Sequence, residues 1–371
     1  MSTNYVNECK ILSNIGIDVI WFDSLGAKSS SIAIRSSNGY IVIDPGAASM
    51  QPSYPLSRDT KLKLRKQAIT TINSYMIKAH TIVITHYHYD HHVLPSDKDI
   101  MDPKKFWLNA KMLILKDPNK YINRSQWERA RCFLSEILSL LNTSLNNYLE
   151  TPKQIQFEDP VENLELATSK YFGDYQKRRE ELLKKGKQWF HKLVEDLWSS
   201  KYWVREVVIN GKNIVWGDNK YFEIGEVKLR ILEPWFHGTE YDRTGWVTSV
   251  VIEKNNYRIF YSSDVMGPII EDYANHIIKY NPDVIILDGP PTYLYPYMLN
   301  NINLRRAIEN IITIINAKPK LIIYDHHLLR ETNWRDKVKE VFIEAKKLGI
   351  TLVTAAECIG TRPLIDILTH K

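Results

Sequence analysis

The chain has 371 residues, 44% of them hydrophobic, and a formal charge of +6, enough length to bury a large core in one or two domains. No apolar run approaches the roughly 20 residues that cross a bilayer, and Asn4, Asn7 and Glu8 do not form a signal-peptide pattern, which argues against a membrane-spanning helix and against secretion. Cys9, Cys132 and Cys358 are odd in number and far apart, so neither a disulfide framework nor a thiolate zinc knuckle is expected, and the expected location is the cytoplasm.

Strand signals occur at 17–23, 29–35, 40–44, 81–85 and 112–116, and Ser37-Asn38-Gly39 marks a hairpin turn between two of them. Residues 60–79 carry helical spacing, with Leu64, Ala68, Ile69, Ile72, Tyr75 and Met76 on one stripe. From about 100 to 205 the pattern changes to charged helices, including 125–149, and this stretch reads as a largely helical insertion in a single domain spanning 1–371. Strands resume at 204–209, 213–217, 226–232, 246–253 and 257–262, with turns at Asn210-Gly211-Lys212 and Asn255-Asn256. The last third alternates: strand 284–288, helix 302–317, strand 321–324, helix 334–347 and strand 351–354. Hairpins followed by strand-helix alternation predict an α/β fold in which two sheets pack between outer helices.

Between Thr168 and Arg205 stand ten Lys or Arg against five acids, interleaved with Trp189, Phe190, Trp198, Tyr202 and Trp203. Such a stretch fits either an anionic or nucleic-acid partner or a solvated helix with an apolar core face.

The most informative segment is Thr85-His86-Tyr87-His88-Tyr89-Asp90-His91-His92, directly after the apolar run Thr81-Ile82-Val83-Ile84. The run reads as a buried strand, so the polar residues occupy the loop leaving its C-terminal end, where α/β proteins place chemistry. Scattered histidines are usually surface or satisfied core groups, but five ionisable side chains behind one buried strand are costly to desolvate without a cation. His86 and His88 are placed to grip one ion, and Asp90 and His91, past the bend, to face a second. Further candidates follow other strands: His237 after 226–232, Asp264 after 257–262, and His326 and His327 after 321–324.

These residues resemble the metallo-β-lactamase superfamily in the pattern HxHxDH followed by His, Asp and His at strand ends. His86 to His92, Ser263-Asp264-Val265, Gly289-Pro290-Pro291-Thr292-Tyr293-Leu294 and Asp325-His326-His327-Leu328-Leu329-Arg330 are more closely similar to an archaeal subgroup with no assigned function. The resemblance spans the chain apart from the insertion and implies an αβ/βα four-layer sandwich with a dinuclear metal site between the sheets. It implies His86, His88 and His237 on a first metal, Asp90, His91 and His326 or His327 on a second, and Asp264 bridging. His326 is favoured because tRNase Z places its last ligand in a similar His-x-x-x-Arg context, which Arg330 completes. Asp44, in Ile43-Asp44-Pro45-Gly46, matches an early Asp that orients a ligating histidine; an Asp opening a Pro-Gly turn is the alternative.

Nitrogen and carboxylate donors suit two Zn²⁺, with iron or manganese as alternatives. Two such ions hold a bridging hydroxide as nucleophile and stabilise the oxyanion formed on attack, so hydrolysis is the expected reaction, with Asp90 handling the proton and Arg330 near the second metal. A phosphoester is the expected substrate class, nucleotide or nucleic acid included. A lactone or thioester hydrolase and a non-catalytic metal-binding protein are the alternatives. The superfamily's main zinc β-lactamases use Cys where Asp264 stands, and its flavodiiron reductases use Glu where His88 stands, so neither activity is expected. Asp288, Tyr293, Tyr295 and Tyr297 follow a buried strand, where Gly289-Pro290-Pro291 either aims Asp288 and Thr292 at the metal cleft or is a rigid structural turn, and the segment Ser24-Leu25-Gly26-Ala27-Lys28-Ser29 is a further candidate for the border of the pocket.

Overall fold

The structure is a computed structural model that describes residues 6–369; Asn4, cited above, lies outside the described residues. Among the described residues, nine strands precede residue 217: β1 (Ile17–Phe22), β2 (Ser30–Ser36), β3 (Gly39–Ile43), β4 (Ala79–Ile84), β5 (Met112–Leu115), β6 (Leu149–Glu150), β7 (Trp203–Val204), β8 (Val207–Ile209) and β9 (Lys212–Trp216). Seven follow: β10 (Lys220–Ile224), β11 (Val227–Phe236), β12 (Trp246–Lys254), β13 (Tyr257–Tyr261), β14 (Val284–Asp288), β15 (Leu321–Asp325) and β16 (Thr351–Val353). They form two seven-stranded sheets, ordered β1-β2-β3-β4-β5-β9-β8 and β10-β11-β12-β13-β14-β15-β16, with β6 and β7 as a separate pair.

Both sheets begin alike, although the first ends in an antiparallel pair, β9 with β8, and the second in the parallel pair β15 and β16. Antiparallel hairpins come first, β1 to β3 and β10 to β13, and parallel strands follow through helical crossovers. The hairpin turns have the expected chemistry: Asn210 and Gly211 (φ 49° and 71°), and Asn255 and Asn256 (φ 52° and 63°), supply the paired positive φ of a tight two-residue turn.

Period-two alternation assigns each strand's two faces. Ile41 and Ile43 of β3, Val83 of β4, Val284 and Ile286 of β14, and Leu321 and Ile323 of β15 meet in the core between the sheets. The intervening Val42, Ile82, Ile84, Ile285, Leu287, Ile322 and Tyr324 face outward into a second core under the helices. Helix Arg58–Met76, capped by Ser57, covers one sheet with Ala68, Ile69, Ile72 and Met76, and helix Asn301–Asn316, capped by Asn300, covers the other with Ala307, Ile311, Ile314 and Ile315. The result is the expected four-layer α/β sandwich. No described helix is long and apolar enough to cross a membrane.

Several local expectations change. Cys9 and Cys358 are joined by a disulfide, contrary to the reading from their number and spacing. Residues 349 apart in sequence meet because Cys9 begins the short helix Lys10–Ile15 and Cys358 ends helix Ala355–Cys358, and both ends pack in the core between the sheets. The helix expected over 125–149 is Arg124–Leu140, and that expected over 334–347 breaks at Val338 into Trp334–Lys337 and Lys339–Leu348. Within 100–205, β5 is a central strand of the first sheet, so the chain leaves the sheet after Leu115 and returns at Val207.

Candidate metal centre

The side chains of the centre all sit just past strand ends. Thr85 follows β4 and Asp44 follows β3, and the two are locked together: the Thr85 amide donates to Asp44 Oδ1 (2.8 Å) and its hydroxyl to Oδ2 (2.6 Å). The chain then turns, with the His91 and His92 amides donating to the His88 carbonyl (2.9 and 3.2 Å). This turn carries Asp90 and His91 round to the same space as His86. Asp44 (φ 50°), Ser263 (φ 53°) and His326 (φ 62°) adopt left-handed backbone conformations, each costing roughly 1–3 kcal/mol. Such strain is held where β3, β13 and β15 end at the centre.

Asp264 stands in the middle. Its Oδ2 lies 3.1 Å from His237 Nε2 and 3.5 Å from His86 Nε2, and the latter is 3.1 Å from His88 Nδ1. Its Oδ1 lies 2.9 Å from His91 Nε2 and 3.3 Å from His326 Nε2, which is 3.8 Å from Asp90 Oδ2. His86, His88, His237 and Asp264 thus form one group that could hold an ion, and Asp90, His91 and His326 another, one on each oxygen of Asp264.

The donor atoms fit metal better than they fit one another. His91 Nε2, both nitrogens of His237 and both oxygens of Asp264 are buried without a hydrogen-bond partner, although the His91 nitrogen is 2.9 Å from an Asp264 oxygen. His91 Nε2, His237 Nε2 and the two Asp264 oxygens converge without aligning for hydrogen bonds. Unpaired buried polar atoms are rare and costly, and convergent imidazole and carboxylate donors are what a divalent transition metal uses.

Electrostatics prepare most of these groups for ligation. Burial, reinforced by His91, pushes His86 down to about 4, and burial with His86 and His237 takes His88 well below its usual range, so both are neutral donors. Burial opposes the ionised form of Asp264 and Asp90, but the surrounding cations outweigh it and hold both carboxyls well below the usual range. For His91, burial is overcome by Asp264 and Asp44, which raise it to about 10. An ion entering there displaces a proton.

Carboxylates behind the imidazoles fix their orientation. Asp44 Oδ2 meets His91 Nδ1 at 2.8 Å and accepts the Tyr261 hydroxyl at 2.8 Å. Asp23 Oδ1 meets His326 Nδ1 at 2.9 Å. Asp23 was not singled out from the sequence, although it ends a strand run as the other site acids do. His327 is held by Asp288 (2.9 Å) and also lies within ligand reach of Asp264 and His326. Only His326, however, is grouped with Asp90 and His91. Burial and the nearby Asp264 push the Asp288 carboxyl up to about 7, yet it accepts the Met266 amide (2.8 Å) as well as His327, an arrangement that suits the ionised form. His92 lies behind the loop, its Nδ1 on the His88 carbonyl (3.0 Å) and its ring against Phe133.

Arg330 is buried and committed. Its Nε donates to Asp23 Oδ2 (2.6 Å) and its Nη2 to Asp90 Oδ2 (3.2 Å), while Nη1 lies 3.4 Å from the Tyr293 hydroxyl. It braces Asp90 from behind. Thr292 is buried with an unpaired hydroxyl, and its carbonyl accepts Lys337.

The segment after Leu115 grips the loop that carries His237. Arg179 bonds Glu240 (3.0 Å), Asn123 and Gln126 bond the Arg243 and Thr244 carbonyls (both 2.7 Å), and Trp189 stacks on Trp246 at 5.5 Å. Phe190, Trp198 and Trp203 are buried, whereas Tyr202 is 61% exposed. Most of the aromatic residues that suggested a partner surface are therefore core.

No protein-family model matches the chain. It is similar to a UPF0282 protein of Methanocaldococcus jannaschii, 25% identical over 347 residues that cover 92% of this chain and 91% of that protein. It is also similar to a UPF0282 protein of Methanopyrus kandleri, 26% identical over 345 residues covering 91% and 92%. Among solved structures it is similar to the metallo-β-lactamase fold protein YhfI from Bacillus subtilis, with TM-score 0.41 and 11% identity over 91% of this chain and 94% of that one.

Proposed function

We propose that the protein is a dinuclear zinc-dependent hydrolase acting on a phosphoester. The observation that carries this reading is the division of Asp264, whose two oxygens face two separate sets of buried donors. His86, His88 and His237 would hold one ion, Asp90, His91 and His326 the other, with Asp264 between them. When bound, such a pair supplies Lewis acidity and brings the pKa of water towards neutrality.

The chain's own residues prepare the rest. Asp44 and Asp23 orient His91 and His326 and keep their outward nitrogens aimed at the centre. Asp90 is the more open of the two central carboxylates, 13% exposed against 1% for Asp264, which supports it as the acceptor of a proton from an attacking water. His91, then Arg330, outweigh burial and hold Asp90 in its ionised form. The choice of a phosphoester is supported by Arg129, which lies over the exposed Tyr89 ring at 5.0 Å beside the Asp90 loop.

Zinc-loaded protein assayed on bis-p-nitrophenyl phosphate, a nucleotide phosphodiester, an acyl thioester and a lactone tests the reading. Metal-dependent phosphodiester cleavage is expected. Its absence from pure protein carrying two zinc ions would leave the lactone or thioester reading, and inactivity on the whole panel would favour a binding role.

A further inference from the structure

Lys28 lies between β1 and β2, and its backbone is pinned at the centre. It exchanges two hydrogen bonds with Ala48, just past Asp44 (2.9 Å each). The next residue, Ser29, donates its amide to Asp23 Oδ1 (2.8 Å), and its carbonyl lies 3.0 Å from His326 Nδ1. The side chain is half-buried, and the charges that act on its ammonium are those of Arg330, Asp90 and Asp23.

Both carboxylates are already taken. Asp23 holds His326 and Arg330, and Asp90 holds Arg330 and faces the second group of metal donors. Among the described residues the Lys28 ammonium forms no ion pair or side-chain hydrogen bond. Other enclosed lysines here are satisfied: Lys116 by Asp218 (2.5 Å), and Lys61 by the Gln51 and Pro52 carbonyls (2.8 and 2.9 Å). Burial, then Arg330, lowers the pKa of Lys28 although Asp90 and Asp23 act in the other direction, so the two carboxylates only partly offset the water this ammonium has lost. Such a group is stabilised by whatever anion enters beside it.

We propose that Lys28 is the substrate-anion receptor of this centre, its ammonium taking a non-bridging oxygen of a phosphoryl group on the Asp90 side, while the committed Arg330 positions Asp90 and does not meet the substrate. The proposal rests on the phosphoester reading and assigns the recognition of charge to a residue outside the metal-ligand motifs. Lysine suits the role because it delivers a compact point charge from a flexible stem.

The test uses full-length zinc-loaded protein with inorganic phosphate as the probe, titrated calorimetrically into wild type, Lys28→Gln and Lys28→Arg. Lys28→Gln is expected to weaken phosphate by about tenfold or more and Lys28→Arg by much less. With bis-p-nitrophenyl phosphate, Lys28→Gln should raise KM more than it lowers kcat. As a check that needs no variant, phosphate should protect Lys28 of the wild type from reductive methylation, read by peptide mass spectrometry, while exposed lysines react unchanged. Wild-type protein that binds no phosphate, equal affinity in Lys28→Gln, or methylation of Lys28 unaffected by phosphate overturns the proposal. Phosphate binding that depends on Lys28 in a protein that cleaves no phosphoester would sink the phosphoester reading alone.

Discussion

Gly46 passes directly beneath His92: a methyl group on Gly46 would stand 2.2 Å from the His92 amide nitrogen and 2.4 Å from the His91 carbonyl carbon. Both contacts are to backbone, which cannot swing aside, so Gly46→Ala must lift the turn that presents Asp90 and His91. The expected outcome is loss of the second metal and a destabilisation of about 1–3 kcal/mol from overpacking. Metal analysis of purified protein together with urea unfolding checks both, and two retained zinc ions would contradict the placement of this loop.

Asp264 joins the two donor groups, and Asp44 orients only one of them. Asp264→Ala should therefore reduce bound zinc from two equivalents to one or fewer. Asp44→Asn should weaken the second ion about 10–100-fold while sparing the first. Competition with a chromophoric chelator separates the two affinities, and equal loss from both groups in Asp44→Asn would reject the division.

Metal uptake should be proton-linked with a defined sign. His91 is raised to about 10, above the ordinary value of 6.5, so it carries a proton at neutral pH that an ion must displace. His86, at about 4, and His88, lower still, are already neutral there. His326 of the same group is also held well above 6.5, burial being outweighed by Asp23 and Asp264, so apparent zinc affinity there should rise by about tenfold per pH unit for each proton displaced between pH 6 and 9. A flat profile would place the proton elsewhere.

Glu240 lies three residues beyond His237 and is enclosed by Arg179 (3.0 Å) and Arg306 (2.7 Å). Glu240→Gln leaves two buried guanidinium groups short of a partner and should destabilise the fold by about 3–5 kcal/mol. Burial alone would raise the pKa of Glu240, but Arg306 and Arg179 outweigh it and lower it from 4.5 to about 2. A depressed folded pKa contributes stability that is present above the unfolded value and lost as pH falls through the folded one. The gap between wild type and variant, followed by denaturant unfolding, should therefore be full above pH 4.5 and shrink towards pH 2.

The Cys9–Cys358 bond closes nearly the whole chain into one loop. Cys358→Ser should cost about 2–4 kcal/mol, chiefly by releasing the unfolded chain. Thermal unfolding of wild type with and without a reductant should reproduce the difference, and an unchanged midpoint would show that the bond contributes nothing.

The two-sheet architecture was legible in the sequence because alternation and turn chemistry are local. Ile41, Ile43, Val284 and Ile286 announce their strands whatever surrounds them, and Asn210-Gly211 announces its turn. The HxHxDH run and the later strand-end His237, Asp264 and His326 were equally plain, since donor chemistry and position after a strand are both written in order along the chain. Helix breaks were less so: nothing local to Val338 marks the interruption between Trp334–Lys337 and Lys339–Leu348.

What the order of residues could not carry is which distant groups meet. Asp23 reads as an ordinary strand-ending acid until β1 and β15 bring it to His326 across 303 positions. Arg330, expected near the second metal, is occupied by Asp23 and Asp90, and Lys28, expected only at the border of the pocket, is half-buried with its ammonium bonded to neither. Cys9 and Cys358, apart by every spacing rule, are joined by the packing of two short helices. Residue type and local periodicity determined the strands and the donor chemistry, because both depend on near neighbours. Burial and long-range proximity, which decide which charges are paired and which remain available, exist only once the chain has closed on itself.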